Sequence, residues 1–151
     1  MGQSLSQMYI HLIFGTKNRY PFITKEIETS LHKYIAGILK NMDSTAIKIN
    51  SVPDHIHILF CLSKKHTLIK IVEEVKKQSS KWMKSQGIDG FTWQIGYGAF
   101  SVSSSKIETV SRYIVNQKEH HKVKSFEKEM EEFMAEYEIS EYDSTHFWCN
   151  T

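Results

Sequence analysis

The sequence predicts an α+β fold: a ferredoxin-like (split βαβ) four-stranded antiparallel sheet with helices on one face and an additional C-terminal helix. Three observations predict it. Strand-like and helix-like periodicities follow one another in the order β-α-β-β-α-β-α along 151 residues. The second and third strand candidates are separated only by the turn pair Pro53-Asp54, which makes them an antiparallel hairpin. With two prolines, no Gly/Ser-rich linker and no internal repeat, the simplest parse is a single domain over residues 1–123, followed by a charged C-terminal helix and tail at 124–151.

Residues 7–15, QMYIHLIFG, are rich in aromatic and β-branched types and read as the first strand. KNRYPF then forms a loop broken by Pro21. From Thr24, a plausible N-cap, Ile27, Leu31, Tyr34, Ile35, Ile38 and Leu39 recur at helical spacing. Residues 45–52 alternate as a second strand, and 55–62, HIHILFCL, form the third. Thr67 to about Lys84 is a helix with Leu68, Ile71, Val72 and Val75 on one face, stopped by Gly87 and Gly90. FTWQIGYGAFSVS (91–103) reads as a glycine-kinked strand, Ser105 to about His121 as the third helix, and 124–138 as a short, highly charged one. Two helices then cover one sheet face. The other is left for a ligand, a partner or a further helix.

Composition sets limits on function. Hydrophobic content of 40% and charged content of 24% are those of an ordinary globular protein, and no apolar run has transmembrane length. No signal peptide is read at the N-terminus. Cys61 and Cys149 make neither a CxxC pair nor a disulfide framework, so a reducing, cytoplasmic setting is expected. A net charge of +2 means that any nucleic-acid surface is local rather than global.

The chemistry starts at PDHIHILF (53–60). Alternation along a strand puts His55 and His57 on one face, with Ile56, Ile58 and Phe60 on the other. Two imidazoles about 7 Å apart along a strand can converge on one metal ion; they can equally be two sheet histidines with ordinary hydrogen bonds. On the third helix, IETVSRYIVNQKEHH (107–121), Ile107, Val110 and Ile114 form the packing stripe. Tyr113 and Gln117, one turn apart, flank it. Gln117 offers a neutral oxygen ligand and Tyr113 a phenolic one; the bland alternative is a packed tyrosine and an exposed amide. Two imidazoles and an amide oxygen with open positions suit Mg²⁺ or Mn²⁺ bound with a phosphate better than a closed zinc site.

These segments resemble a known family. PDHIHILF is similar to the His-hydrophobic-His motif of the HUH single-tyrosine transposases of small bacterial insertion sequences and their REP-associated relatives. YIVNQ (113–117) resembles their nucleophile helix, YIHLIFGTKNRYPF (9–22) their opening strand and basic loop, and FTWQIGYGAFSVS their tryptophan-glutamine strand. The resemblance covers roughly residues 5–121 and leaves 124–151 unmatched. It implies that His55, His57 and Gln117 bind a divalent metal, and that Tyr113 attacks a single-stranded DNA phosphodiester. It further implies a homodimer and a substrate whose ends carry small hairpins.

For DNA contacts the candidates are Lys17 and Arg19 after the first strand, and Lys77 and Lys81 among the lysines Lys70, Lys76 and Lys84 of the second helix. Tyr20, Trp93 or Tyr97 could stack bases. A lysine-rich helix face is also an ordinary solvated surface, and Trp93 also fits a core. His11 could orient a neighbour of the metal site; His66, His120, His121 and His146 read as non-catalytic. Two other functions fit the same fold: a non-catalytic module that grips single-stranded nucleic acid on its sheet, and a metal-dependent nuclease using water.

Overall fold

The computed structural model describes residues 2–120, 125–136, 143 and 147. β1 (Met8–Gly15) leads through a 3-10 turn at Lys17–Arg19 to α1 (Lys25–Asn41), β2 (Ala46–Val52) and β3 (His55–Leu62). α2 (Leu68–Ser85), β4 (Gly98–Val102), α3 (Ile107–Val115), α4 (Gln117–His120) and α5 (Phe126–Glu136) complete the order. The strands form one antiparallel sheet of order β2-β3-β1-β4, the expected split βαβ arrangement, with β1 and β3 at its centre. Val52 pairs with His55, so Pro53-Asp54 closes a two-residue hairpin as anticipated.

The side-chain period of two sorts the sheet into two faces. Leu12 and Phe14 of β1 and Ile56, Ile58 and Phe60 of β3 pack with Leu31 and Ile35 of α1 and Val72 and Val75 of α2. The opposite face presents His11, Ile13, His55, His57 and Leu59. Of the occupants the sequence left open there, the structure shows helices. Ile13 and Phe100 pack with Phe126, Met130 and Met134 of α5, and Leu59 and Val102 pack with Ile114 of α3. The described part of the charged C-terminal segment is therefore part of the core. The rest of 137–151, with the readings of His146 and Cys149, lies outside the described residues apart from Asp143 and Phe147, as does His121.

Two elements differ from their sequence-based bounds. The strand expected over 91–103 is regular only at Gly98–Val102. The Lys76 ammonium receives the carbonyls of Gln94, Ile95 and Gly96 at 2.8, 3.1 and 2.8 Å, and three successive carbonyls turned to one point cannot alternate in a ladder. Only Trp93 keeps a bridge, to Thr16. The helix expected over 105–121 breaks at Asn116. The Asn50 side-chain amide donates to the carbonyls of Ile114 (2.9 Å) and Val115 (3.1 Å), drawing both away from their acceptor roles one turn on.

α5 approaches the end of β1 closely, and only a glycine permits it. A Cβ on Gly15 would stand 2.6 Å from Cε2 of Phe126 and 3.1 Å from the Asp54 carbonyl oxygen. Gly15→Ala is expected to lower stability by about 1–3 kcal/mol in urea unfolding, as overpacking does. A loss near zero would mean that α5 does not dock there in solution.

Candidate active site

Five side chains from four elements meet on the α3/α5 face of the sheet. β3 delivers His55 and His57, both fully buried. Their Nδ1 atoms are held from behind: His55 Nδ1 lies 2.8 Å from Asp54 Oδ1, and His57 Nδ1 lies 2.9 Å from His11 Nε2. Each outer nitrogen thus has a partner that fixes the ring and leaves Nε2 facing the site. α5 brings Glu129, 2% exposed, with Oε1 at 3.0 Å from His57 Nε2 and 3.5 Å from His55 Nε2. α3 brings Tyr113, whose hydroxyl donates to Glu129 Oε2 at 2.5 Å and whose ring centroid is 5.8 Å from that of His57. α4 brings Gln117, fully buried, with neither amide atom in a well-formed hydrogen bond.

The electrostatics follow from burial against this one carboxylate. Burial disfavours the His55 imidazolium, but the bonds and charges of Asp54 and Glu129 outweigh it and raise the His55 pKa. A protonated His55 therefore balances the buried Glu129 charge when no cation is bound. Burial, reinforced by His57, pushes the His11 pKa well below the ordinary value despite Glu129. A neutral His11 can accept a proton-bearing Nδ1 from His57. Burial first, then the Glu129 charge and hydrogen bond, raise the Tyr113 phenol pKa. The Gln117 amide lies near enough to oppose this weakly, though its geometry falls short of a hydrogen bond.

The arrangement fits a divalent cation. The facing atoms of His55, His57 and Glu129 all lie within 4.8 Å of one another. Ligands of one ion with bonds near 2.1 Å stand roughly 3.0–3.5 Å apart for right-angled to tetrahedral geometry, which covers both nitrogen–oxygen spacings above. A buried amide with both polar atoms unsatisfied is costly unless something else binds it. Gln117 therefore belongs to the candidate ligand set with His55, His57 and Glu129. Nitrogen and oxygen donors without thiolate favour Mg²⁺ or Mn²⁺ in kind over a structural zinc.

Of the residues singled out in the sequence, His55, His57, Tyr113 and Gln117 come together. Arg19 reaches the edge of the site, where its guanidinium meets Glu127 of α5 at 2.7 Å. Lys17 is exposed beside it. Lys77 and Lys81 are exposed on α2, across the sheet from the histidines, with Lys77 paired to Glu74 at 2.8 Å. Trp93 is core: its ring meets Phe14 and Phe91 edge-on and its indole N–H donates to Ser79 Oγ. Tyr20 stays 60% exposed. Sequence reasoning passed over Glu129 and Asp54. The signal for Glu129 was a carboxylate on the apolar stripe of α5, three residues after Phe126 and four before Phe133.

Fold and cluster together define a small α+β protein whose sheet carries a His-His-Glu candidate metal site. The chain belongs to the IS200-like transposase family, whose pattern matches residues 4–117, and so to proteins that transfer DNA strands. It is 24% identical over 118 residues to the ISDra2 transposase TnpA of Deinococcus radiodurans, across 74% of this chain and 84% of that one. A crystal structure of a Deinococcus radiodurans R1 protein described as a transposase superposes with TM-score 0.62 at 23% identity, covering 78% of this chain and 96% of that one. A REP-associated tyrosine transposase bound to a REP hairpin superposes with TM-score 0.59 at 16% identity, covering 80% and 74%. Among the described residues no helix is long and apolar enough to cross a membrane.

Proposed function

We propose that this transposase cuts and rejoins single-stranded DNA at insertion-sequence ends through a covalent 5′-phosphotyrosine at Tyr113. The observation that carries the reading is the Tyr113 hydroxyl lying one carboxylate away from two imidazole Nε2 atoms, with a buried, unsatisfied amide at the same place. A phenol is a weak nucleophile at neutral pH, and burial beside Glu129 makes this one weaker still, so it needs activation at the moment of attack. A bound Mg²⁺ or Mn²⁺, held by His55, His57, Gln117 and Glu129, supplies a Lewis acid that draws charge from the scissile phosphate.

The chain's own residues do the rest. His11 and Asp54 fix the tautomer and ring orientation of the two histidines. Tyr113 oxygen forms the new bond to phosphorus, the bond to the 3′-oxygen breaks, and a free 3′-hydroxyl departs. The phosphotyrosine ester keeps the energy of the broken bond, so a second 3′-hydroxyl can reverse the step on a new partner without ATP. Lys17 and Arg19 lie at the rim, where they would meet the DNA backbone, and Lys77 and Lys81 would reach only DNA that wraps to the α2 side. Hairpin-bearing ends as substrate, and a homodimer as the working form, complete the proposal. They rest on the family resemblance, and the hairpin on the REP-bound relative as well.

The test is a denaturing protein gel after incubation with labelled single-stranded DNA from the flanks of the protein's own gene and Mg²⁺ or Mn²⁺. A DNA-linked band is expected from the wild-type chain, lost in Tyr113→Phe and with chelator. DNA binding without an adduct under every flank and metal would replace this reading with the single-stranded binding module. Cleavage that survives Tyr113→Phe would replace it with the water-using nuclease.

A further inference from the structure

Glu129 lies beyond residues 4–117, the stretch that matches the family. It is nonetheless the group through which the site is joined. One of its oxygens faces both imidazoles at 3.0 and 3.5 Å, and the other accepts the Tyr113 hydroxyl at 2.5 Å. α5 is seated firmly enough to hold it there. Phe126 stacks on His55 with centroids 3.9 Å apart and planes 3° apart, and Phe133 meets the rings of His11 and Tyr113 edge-on at 5.6 and 5.5 Å.

The tyrosine helix is fixed to the same sheet from its other side. Ile114 is buried with Leu59 and Val102, and Asn50 caps the last carbonyls of α3. Just beyond, Lys118 pairs with Glu28 of α1 at 3.2 Å. Handing Tyr113 to another subunit would break these contacts together and strand a buried carboxylate.

We propose that Glu129 is a positioning residue that sets Tyr113 against the metal-site histidines of its own chain, so that the active site is assembled in cis. The inference rests on the tyrosyl reading above and adds what that reading leaves open, namely whose histidines the tyrosine serves. With Oε1 on the histidine side and Oε2 on the phenol, the carboxylate fixes the distance between nucleophile and metal ligands. Such preorganisation is what a reaction dependent on in-line attack requires.

Two measurements test it. Full-length Tyr113→Phe and His57→Ala chains, each inactive alone, are mixed and given labelled single-stranded DNA. Cis assembly predicts no adduct, because neither chain holds both halves. An adduct returning to a large fraction of the wild-type level would overturn it. Separately, Mn²⁺ binding is followed by electron paramagnetic resonance without DNA. Glu129→Gln, nearly isosteric, is expected to weaken Mn²⁺ binding about tenfold or more. It should also lower the adduct rate at saturating DNA while leaving DNA affinity within about twofold. Unchanged Mn²⁺ affinity would overturn the role of Glu129. So would a faster adduct rate, which would make α5 a cover over the site rather than a part of it. A wild-type chain that forms no adduct would defeat the tyrosyl reading itself, whereas an active wild type with a complementing mixture defeats cis assembly alone.

Discussion

His57→Ala is expected to weaken Mn²⁺ binding more than about 100-fold and to abolish adduct formation, while the chain still folds. Losing an outer-sphere partner of a metal ligand typically costs 10–100-fold in affinity, and a ligand itself costs more. His57 is the most connected member of the cluster: Nε2 faces Glu129 at 3.0 Å and Nδ1 faces His11 at 2.9 Å. Removing it strands a buried imidazole and weakens the hold on a buried carboxylate at once. Some stability should go with it, about 1–3 kcal/mol from the unpaired polar groups. The measurement is Mn²⁺ titration with thermal unfolding alongside, which separates loss of the site from loss of the fold. Retained Mn²⁺ affinity in a folded His57→Ala chain would remove His57 from the ligand set.

Phe60→Ala should cost about 3–5 kcal/mol, the usual loss for a large aromatic deleted from a core. Phe60 is fully buried in the middle of β3, opposite Ile10 of β1 and Ala46 of β2. Its ring lies in the cluster that joins the sheet to α1 and α2. For a chain of this size each kcal/mol moves the midpoint by about 2–4 °C, so the expected fall in Tm is roughly 6–20 °C. β3 carries the metal-site histidines on its other face, so loosening the strand also loosens the site. Saturating Mn²⁺ should then restore part of the lost Tm, as a ligand that binds only the native state does. A loss under about 1 kcal/mol would mean that this core is far looser than the packing indicates.

Much of this architecture was legible from periodicity. Alternation in 55–62 placed His55 and His57 together and opposite Ile56, Ile58 and Phe60, and the structure keeps that division. Pro53-Asp54 forced the hairpin. The spacing of Tyr113 and Gln117 put both on the side that meets the sheet, even though the helix breaks between them at Asn116. That break was not legible, because the agent is Asn50, 64 residues from the Ile114 carbonyl it takes. The short β4 has the same kind of cause: Lys76 reads in the sequence as a surface charge, and its ammonium organises the carbonyls of a loop eighteen to twenty residues on.

The sequence by itself determined the order of elements, the face of each strand and the candidate imidazole, phenol and amide groups, because those depend on local backbone periods of 2 and 3.6 residues. Tertiary structure alone decided that the second sheet face is sealed by α3 and α5. It also decided that Glu129, 72 residues from His57, completes the cluster. A carboxylate in a charged helix looks solvated until packing removes its water. Once buried, it has to find a partner of opposite charge or a hydrogen-bond donor, and here the histidines and Tyr113 supply both.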